Sequence, residues 1–200
     1  MQKKHLVLAS GSPRRKELLS QLGYEFSVLV TDVEECKHTQ ETAEEYVKRL
    51  SLDKALAALS LLAAKPSEEQ QGASGSDTVV LGSDTVVVSQ GQVLEKPADF
   101  SESKRMLLQL ANGRHQVMTA VSVVSQEKQK TEIVITDVWF KPLSEKEIEQ
   151  YWQTGEPCDK AGSYGIQGLG GRFVTRIEGS YYAVVGLPLF ETDQLLQEFL

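Results

Sequence analysis

Long hydrophobic runs are missing from this 200-residue sequence. No stretch approaches the roughly 20 consecutive apolar residues that a membrane-spanning helix requires. The first residues, Met1 to His5, lead directly into an apolar strand pattern and lack the features of a signal peptide. We therefore expect a cytoplasmic protein that does not associate with a membrane.

Cysteine is scarce, and a surplus of positive charge is absent. Cys36 and Cys158 lie far apart and form no metal-binding spacing, so reduced thiols in a cytosolic protein are expected. The sequence contains 21 Lys and Arg residues and 28 Asp and Glu residues, which gives a net charge of −7. This balance argues against a general nucleic-acid-binding protein. A small anionic substrate stays compatible with it, because a local basic cluster can operate within an acidic protein.

The residues that are present favour a folded protein of mixed secondary structure. Forty per cent of them are hydrophobic, enough for a packed interior. Helix and strand patterns follow one another irregularly, with hairpins, which predicts a mixed α/β (α+β) fold rather than a doubly wound one. Alternating apolar residues predict a strand over 24–30, and Glu178-Gly179 predicts a hairpin between strands at 173–177 and 180–185. Residues 65–76 are polar and aperiodic, which predicts a flexible exposed loop without a role in function.

A strand–turn–helix pattern opens the chain and carries two arginines. The apolar strand ends at Ala9, Ser10-Gly11-Ser12 interrupts it, and Pro13 suits the first position of a helix. Arg14 and Arg15 follow in the first helical turn, where cations oppose the helix dipole. Two interpretations stay open at this point: a site for a polyanion, or a capped surface helix with solvated arginines.

Two further charged residues fall at positions where apolar residues are expected. Lys54 shares the apolar stripe of a helix capped by Thr42 and Glu45, so it either snorkels past the core edge or points into a cleft. Asp84 interrupts a β-branched run, and a carboxylate there is costly unless it is paired or bound to a metal. A turn or bulge at Gly82 is the alternative for that segment. The related Asp77, in the first copy of a local repeat, follows the polar loop and is the weaker candidate.

The charged candidates together point to phosphate chemistry. The cations Arg14, Arg15, Lys54 and Lys96 match the charge of a triphosphate, and the carboxylates of Glu34, Glu35 and Asp84 suit Mg²⁺ or Mn²⁺. A divalent metal with a carboxylate that orients water is the minimum apparatus for cleaving a phosphoanhydride. No Walker lysine motif and no G-x-S-x-G motif is present. These residues therefore favour hydrolysis of a phosphate ester or a nucleotide.

Four motifs, in order along the chain, carry a resemblance to a known family. They are Ala9-Ser10-Gly11-Ser12-Pro13-Arg14-Arg15, Gly82-Ser83-Asp84-Thr85, Glu95-Lys96-Pro97 and Asp159-Lys160-Ala161-Gly162-Ser163-Tyr164-Gly165-Ile166-Gln167-Gly168. Together they resemble the signature motifs of Maf proteins, which are nucleoside triphosphate pyrophosphatases. The resemblance implies a single domain over residues 1–200, with a two-lobed fold around a cleft similar to that of inosine triphosphate pyrophosphatases. It also implies a divalent cation and a homodimer.

The resemblance assigns roles to individual residues. Asp84 matches the catalytic proton acceptor of the family, and the other matching polar cleft residues are Ser10, Arg15, Glu35, Lys54 and Lys96. Asp84 and Glu35 are the implied metal ligands. Arg14, Thr85 and Gln167 match the positions associated with substrate choice. Their combination resembles the subfamily that hydrolyses dTTP and UTP, with modified pyrimidine triphosphates as further candidates; the alternatives are a 7-methyl-GTP pyrophosphatase and a nucleotide-binding regulator of septum formation.

Overall fold

The computed structural model describes residues 4–64 and 78–200, and that part of the chain contains seven strands, six α-helices and three short 3₁₀ helices. The strands are β1 (His5–Leu8), β2 (Phe26–Val28), β3 (Thr78–Ser89), β4 (Gln92–Leu94), β5 (Arg114–Val124), β6 (Gln129–Phe140) and β7 (Val174–Glu178). The helices are α1 (Pro13–Gln21), α2 (Ala43–Ala63), α3 (Phe100–Leu110), α4 (Glu145–Trp152), α5 (Tyr181–Val185) and α6 (Leu189–Phe199). The predicted loop at 65–76 and Asp77 lie outside the described residues. No described helix has both the length and the apolar character that crossing a bilayer requires.

The strands form one mixed sheet, which confirms the predicted mixed α/β class. The order of six strands is β2-β1-β3-β5-β6-β7, and β4 pairs with β3. β1 is parallel to both of its neighbours, with Leu6 opposite Phe26 on one side and Val79 on the other. The β3–β4 and β6–β7 pairs are antiparallel. The parallel pairs need helical crossovers, and α1 and α2 supply them.

Contacts between Cα atoms divide the chain into two compact units. The first comprises residues 1–84, 120–133 and 186–200, and the second comprises 85–119 and 134–185. Strands β3, β5 and β6 each contribute residues to both units. In the first unit, α2 packs small side chains against β1 and β3, in a cluster that contains Val7, Ala9, Ala55, Ala58 and Val80.

Two local predictions are wrong. The predicted strand over 24–30 shrinks to β2, and Val28 and Val30 are 43% and 64% exposed, because β2 lies at the edge of the sheet formed by the described strands. The second strand of the hairpin predicted after Glu178 is instead α5. Ser180 caps this helix, since its Oγ accepts the Ala183 N–H at 3.2 Å. The serine cap outweighs the β-branched character of the segment.

An aromatic cluster surrounds His115 in the core of the second unit. The ring packs edge-on against Phe140 and Tyr164, with centroid distances of 4.9 and 5.5 Å. Nε2 lies 2.8 Å from the Tyr164 hydroxyl, whereas the buried Nδ1 has no hydrogen-bond partner among the described residues. Burial lowers the pKa of His115 to about 4, and the Asp137 carboxylate opposes this shift only in part. His115 is therefore a structural residue of this aromatic core.

We predict that acid destabilises the fold through His115. Between pH 6.5 and about pH 4 the unfolded imidazole binds a proton and the folded one stays neutral, so the free energy of unfolding falls as pH falls. The shift corresponds to about 3 kcal/mol. Urea unfolding of the wild type and of His115→Phe at pH 7, 5.5 and 4 measures this contribution as the difference between the two pH slopes.

The exposed His38 provides the matched control. His38→Gln should retain the wild-type slope. Equal slopes for wild type and His115→Phe would show that the buried ring does not cause the acid sensitivity.

Candidate functional site

The candidate site in the first unit begins with a close approach between α2 and β3 at Gly82. A Cβ atom on Gly82 would lie 2.2 Å from the Ser51 carbonyl oxygen and 2.9 Å from the Ala55 nitrogen, so only glycine fits against the helix backbone. Lys54 lies between those two helical residues, and Asp84 follows Gly82 by two residues in β3. The approach at Gly82 therefore brings the lysine and the aspartate together.

Lys54 binds two carboxylates at once. Its Nζ lies 2.6 Å from Asp84 Oδ1 and 2.6 Å from Glu35 Oε1. The Lys54 and Asp84 side chains are only 12% and 10% exposed, which excludes snorkelling into solvent. β3 continues through Asp84, so a turn at Gly82 is also wrong. Of the two adjacent glutamates that the sequence left open, Glu35 is the one that forms an ion pair with Lys54.

Helix α2 also fixes the acidic loop that carries Glu35. The Tyr46 hydroxyl donates to the Glu35 carbonyl oxygen at 3.0 Å. The Arg49 guanidinium donates to the Cys36 carbonyl oxygen at 2.9 Å and binds Glu41 through two nitrogens. The bonds from Arg49 lower the pKa of Glu41 to about 2. The loop has no regular structure of its own, so these contacts with α2 hold the Glu35 backbone in place.

The segment after β1 forms a capped helix start, as the sequence predicts. The Ser12 side chain caps α1 by accepting the Arg15 N–H at 3.4 Å. Ser10 Oγ in turn accepts the Ser12 N–H at 3.1 Å. These two hydroxyls thus occupy the Ser12 and Arg15 N–H groups at the start of α1. The guanidinium groups of Arg14 and Arg15 consequently become its main features for binding an anion.

Arg15 is anchored by the backbone that precedes α6. Its Nε donates to the Gly186 carbonyl oxygen at 2.9 Å, and Ser83 Oγ donates to the same oxygen at 3.1 Å. Desolvation by burial lowers the pKa of Arg15, the Asp84 carboxylate raises it, and the Arg14 charge lowers it further. Arg15 is therefore close enough to Asp84 and to Arg14 to interact with both. Ser83 and Gly186 were not predicted, because the bond depends on a backbone carbonyl.

Six of the predicted site residues thus belong to the first unit. They are Ser10, Arg14, Arg15, Glu35, Lys54 and Asp84. Three cations and two carboxylates leave one excess positive charge in this unit's site, within a chain whose net charge is −7. A local excess of this sign attracts an anion despite the overall acidity.

The two carboxylates on Lys54 also fit a divalent cation. Among residues 4–64 and 78–200, no group of three or more His, Cys, Asp and Glu side chains forms a ready-made metal cage. Glu35 and Asp84 are nevertheless neighbours, since both contact the same Nζ. Mg²⁺ is commonly held by one or two carboxylates together with substrate phosphates. The donor set therefore could hold a divalent cation that also binds phosphate oxygens.

Thr85, Lys96 and Gln167 belong to the second unit. Thr119 Oγ1 donates to the Ala183 carbonyl oxygen at 2.7 Å, so its only proton is used there. In the 2.9 Å contact between Thr85 and Thr119 the proton must then come from Thr85. Thr85 is thus fixed by its contact with Thr119 on β5.

The other two predicted residues of the second unit lie on its surface. Lys96 is exposed and precedes the buried Pro97, two residues after β4. Gln167 is exposed in the glycine-rich segment, between two short 3₁₀ turns at Ala161–Ser163 and Leu169–Phe173. Both side chains are thus accessible to a ligand within their own unit.

Comparison with known proteins gives consistent matches over nearly the whole chain. A family model described as Maf-like protein matches residues 5–199. A dTTP/UTP pyrophosphatase of Vibrio parahaemolyticus is 70% identical, covering 98% of this chain and 97% of that protein. Its namesake from Vibrio vulnificus is 67% identical and covers 98% of both chains. The structure of the Staphylococcus aureus Ham1 protein is 17% identical, covers 68% of this chain and 72% of its own, and has a TM-score of 0.46, too low to support an argument.

We predict that Gly82→Ala separates Lys54 from Asp84. The added methyl group would overlap the backbone of α2, so the helix has to move, at a cost of about 1–3 kcal/mol in the free energy of unfolding. Urea unfolding measures this loss. Gly113→Ala is the matched control, because a Cβ there meets nothing closer than 3.7 Å and should change stability by no more than about 0.5 kcal/mol. A Gly82→Ala protein as stable as the control would contradict the close approach.

Proposed function

Because the chain belongs to the Maf family, we propose that it hydrolyses dTTP and UTP to the nucleoside monophosphate and pyrophosphate. Relatives with 70% and 67% identity over almost their whole length carry the name dTTP/UTP pyrophosphatase. The structural observation that carries the proposal is the Lys54 ammonium between Asp84 and Glu35, beside Arg15. This arrangement combines a proton acceptor, hard oxygen ligands and phosphate-binding charge.

Asp84 is the proton acceptor in this proposal. A water molecule attacks the α-phosphorus, its proton passes to the Asp84 carboxylate, and the bond from the α-phosphorus to the bridging oxygen breaks. The pyrophosphate leaves with that oxygen. Lys54 binds Oδ1, so we assign Oδ2 as the oxygen that receives the proton. This fixed orientation is what a general base requires.

The remaining cations hold the triphosphate. In the first unit, Arg14 and Arg15 offset the charge that develops on the leaving pyrophosphate, and Ser10 contributes a hydroxyl. Lys96, in the second unit, is the further cation that the family resemblance assigns to the phosphates. Lys54 already balances two carboxylates, so its first role is to orient Asp84 and Glu35. Glu35 and Asp84 would hold a divalent cation, Mg²⁺ or Mn²⁺. When bound, such a cation supplies a more acidic water and a polarised phosphate.

Thr85 and Gln167 are the residues that we assign to the pyrimidine. Uracil and thymine present an N3–H donor flanked by two carbonyl acceptors, whereas cytosine has no proton on N3. Thr85 matches a family position associated with substrate choice, and its hydroxyl contacts Thr119. The Gln167 amide can both donate and accept. A Gln167 oxygen that accepts the N3–H would favour UTP and dTTP over CTP.

The same proposal includes a cytoplasmic location and a homodimer. Cys36 and Cys158 are exposed and both are free thiols, which fits a reducing compartment. The homodimer rests on the family resemblance alone, and sedimentation of the purified protein would test it.

The substrate range is the direct test of this function. We predict release of pyrophosphate from dTTP and UTP in the presence of Mn²⁺, with much lower kcat/KM values for CTP and 7-methyl-GTP. Coupled detection of pyrophosphate and orthophosphate distinguishes the cleaved bond. Release of orthophosphate, or preference for 7-methyl-GTP, would contradict the proposal. Tight binding of the nucleotides without turnover would instead favour a regulator.

Asp84→Asn tests the assignment of the proton acceptor. We expect kcat for dTTP to fall by about 100- to 10,000-fold, as is typical when a general base is removed. The amide keeps the size of the side chain, so thermal unfolding should show a folded protein. Glu34→Gln is the matched control, because Glu34 is exposed and adjacent to Glu35, which forms the ion pair with Lys54. Near-normal kcat in Asp84→Asn would remove Asp84 from the mechanism.

A further inference from the structure

The Glu156 carboxylate, in the second unit, accepts three hydrogen bonds. Oε1 accepts from the Tyr151 hydroxyl at 2.7 Å and from the Gly170 N–H at 3.0 Å, and Oε2 accepts from the Leu169 N–H at 2.8 Å. Two of the three donors are therefore backbone groups of the glycine-rich segment. They lie two and three residues after Gln167.

Tyr151 extends the same network to the other side of Gln167. Its phenolic oxygen accepts the Gly165 N–H at 3.0 Å while its proton goes to Glu156. Burial and the bond to Glu156 both raise the pKa of Tyr151, so the phenol keeps that proton at neutral pH. The backbone is consequently fixed by hydrogen bonds on both sides of Gln167, at Gly165 before it and at Leu169 and Gly170 after it.

The glycine-rich backbone lies directly against the carboxylate. A Cβ on Gly168 would lie 2.3 Å from Glu156 Oε2, so a larger residue there would push the carboxylate and the segment apart. Desolvation raises the pKa of Glu156, but the bonds from Gly170, Leu169 and Tyr151 together lower it, so the carboxylate stays charged. Both oxygens of Glu156 accept hydrogen bonds from the glycine-rich segment, and one of them also accepts the Tyr151 proton. Glu156 therefore has no direct role in proton transfer.

We propose that Glu156 is a positioning residue for nucleobase selection, acting through Gln167. By fixing the backbone on both sides of Gln167, the carboxylate presents the Gln167 amide to the pyrimidine in one arrangement, without ordering the segment each time a nucleotide binds. This inference rests on the proposed function, in which Gln167 contacts the base. It adds Glu156 and Tyr151 to the residues that determine specificity.

A double-mutant cycle tests the proposal. Glu156→Gln replaces one acceptor oxygen with an N–H donor, which opposes a donor of the segment. We expect Glu156→Gln to lower kcat/KM for UTP by about tenfold, the effect of one lost hydrogen bond, mainly through KM, and to reduce the UTP/CTP preference. Combined with Gln167→Ala, Glu156→Gln should add little to the loss that Gln167→Ala causes alone. A purely structural role would instead give independent losses that multiply.

Hydrogen exchange provides a readout that does not depend on activity. The Leu169 and Gly170 amides should exchange faster in Glu156→Gln than in the wild type. Glu149→Gln is the matched control, because Glu149 is exposed on α4 and the same substitution there should leave both exchange and kcat/KM within twofold of the wild type. If Glu156→Gln does not fold, Tyr151→Phe removes only the hydroxyl that joins Gly165 to Glu156 and enters the same cycle.

The outcomes separate the two proposals. A wild-type protein that hydrolyses neither UTP nor dTTP overturns the proposed function, and the inference with it, before any variant is made. A wild type that hydrolyses both, with multiplying losses in the cycle or an unchanged UTP/CTP ratio in Glu156→Gln, overturns the role of Glu156 alone.

Discussion

One ion cluster, the Lys54 ammonium between Asp84 and Glu35, constrains the rest of the first unit. Removing two nearly buried charges from water costs several kcal/mol per ion, and their attraction rarely returns more than it costs. A well-packed apolar pair would serve stability equally well at this position. The cluster is therefore better explained by chemistry than by folding, and the surrounding structure has to hold it in place.

That support comes mainly from backbone groups. Gly82 lets α2 approach β3 closely enough for Lys54 to reach Asp84. The Tyr46 hydroxyl donates a hydrogen bond to the Glu35 carbonyl oxygen, and the Gly186 carbonyl oxygen accepts hydrogen bonds from Arg15 and Ser83. Glu35 and Arg15 are thus held through main-chain carbonyl groups, and Lys54 and Asp84 through a close approach of main chain at Gly82.

This reliance on main chain explains what the sequence could and could not predict. The helix beginning at Pro13, the capped helix α2 and the charged candidates Lys54 and Asp84 were predictable, because capping residues and misplaced charges leave a local signature. The choice between Glu34 and Glu35 was not, since an aperiodic loop gives adjacent residues no distinguishable direction. Val30 was misassigned because alternation does not reveal that a strand lies at an edge.

Glu156 was not predicted from the sequence either, because its bonds to main-chain N–H groups leave no local signature. Its contrast with Asp84 shows how the environment gives the same functional group two different roles. Only one oxygen of Asp84 binds Lys54, and Lys54 is shared with Glu35. The negative charge of Asp84 can therefore still act on a ligand. Both oxygens of Glu156 are occupied by neutral N–H and O–H donors of its own unit. A carboxylate saturated in this way cannot exchange protons with a substrate without releasing the segment that it holds. Its negative charge strengthens those bonds, which suits a carboxylate that fixes the backbone of the glycine-rich segment.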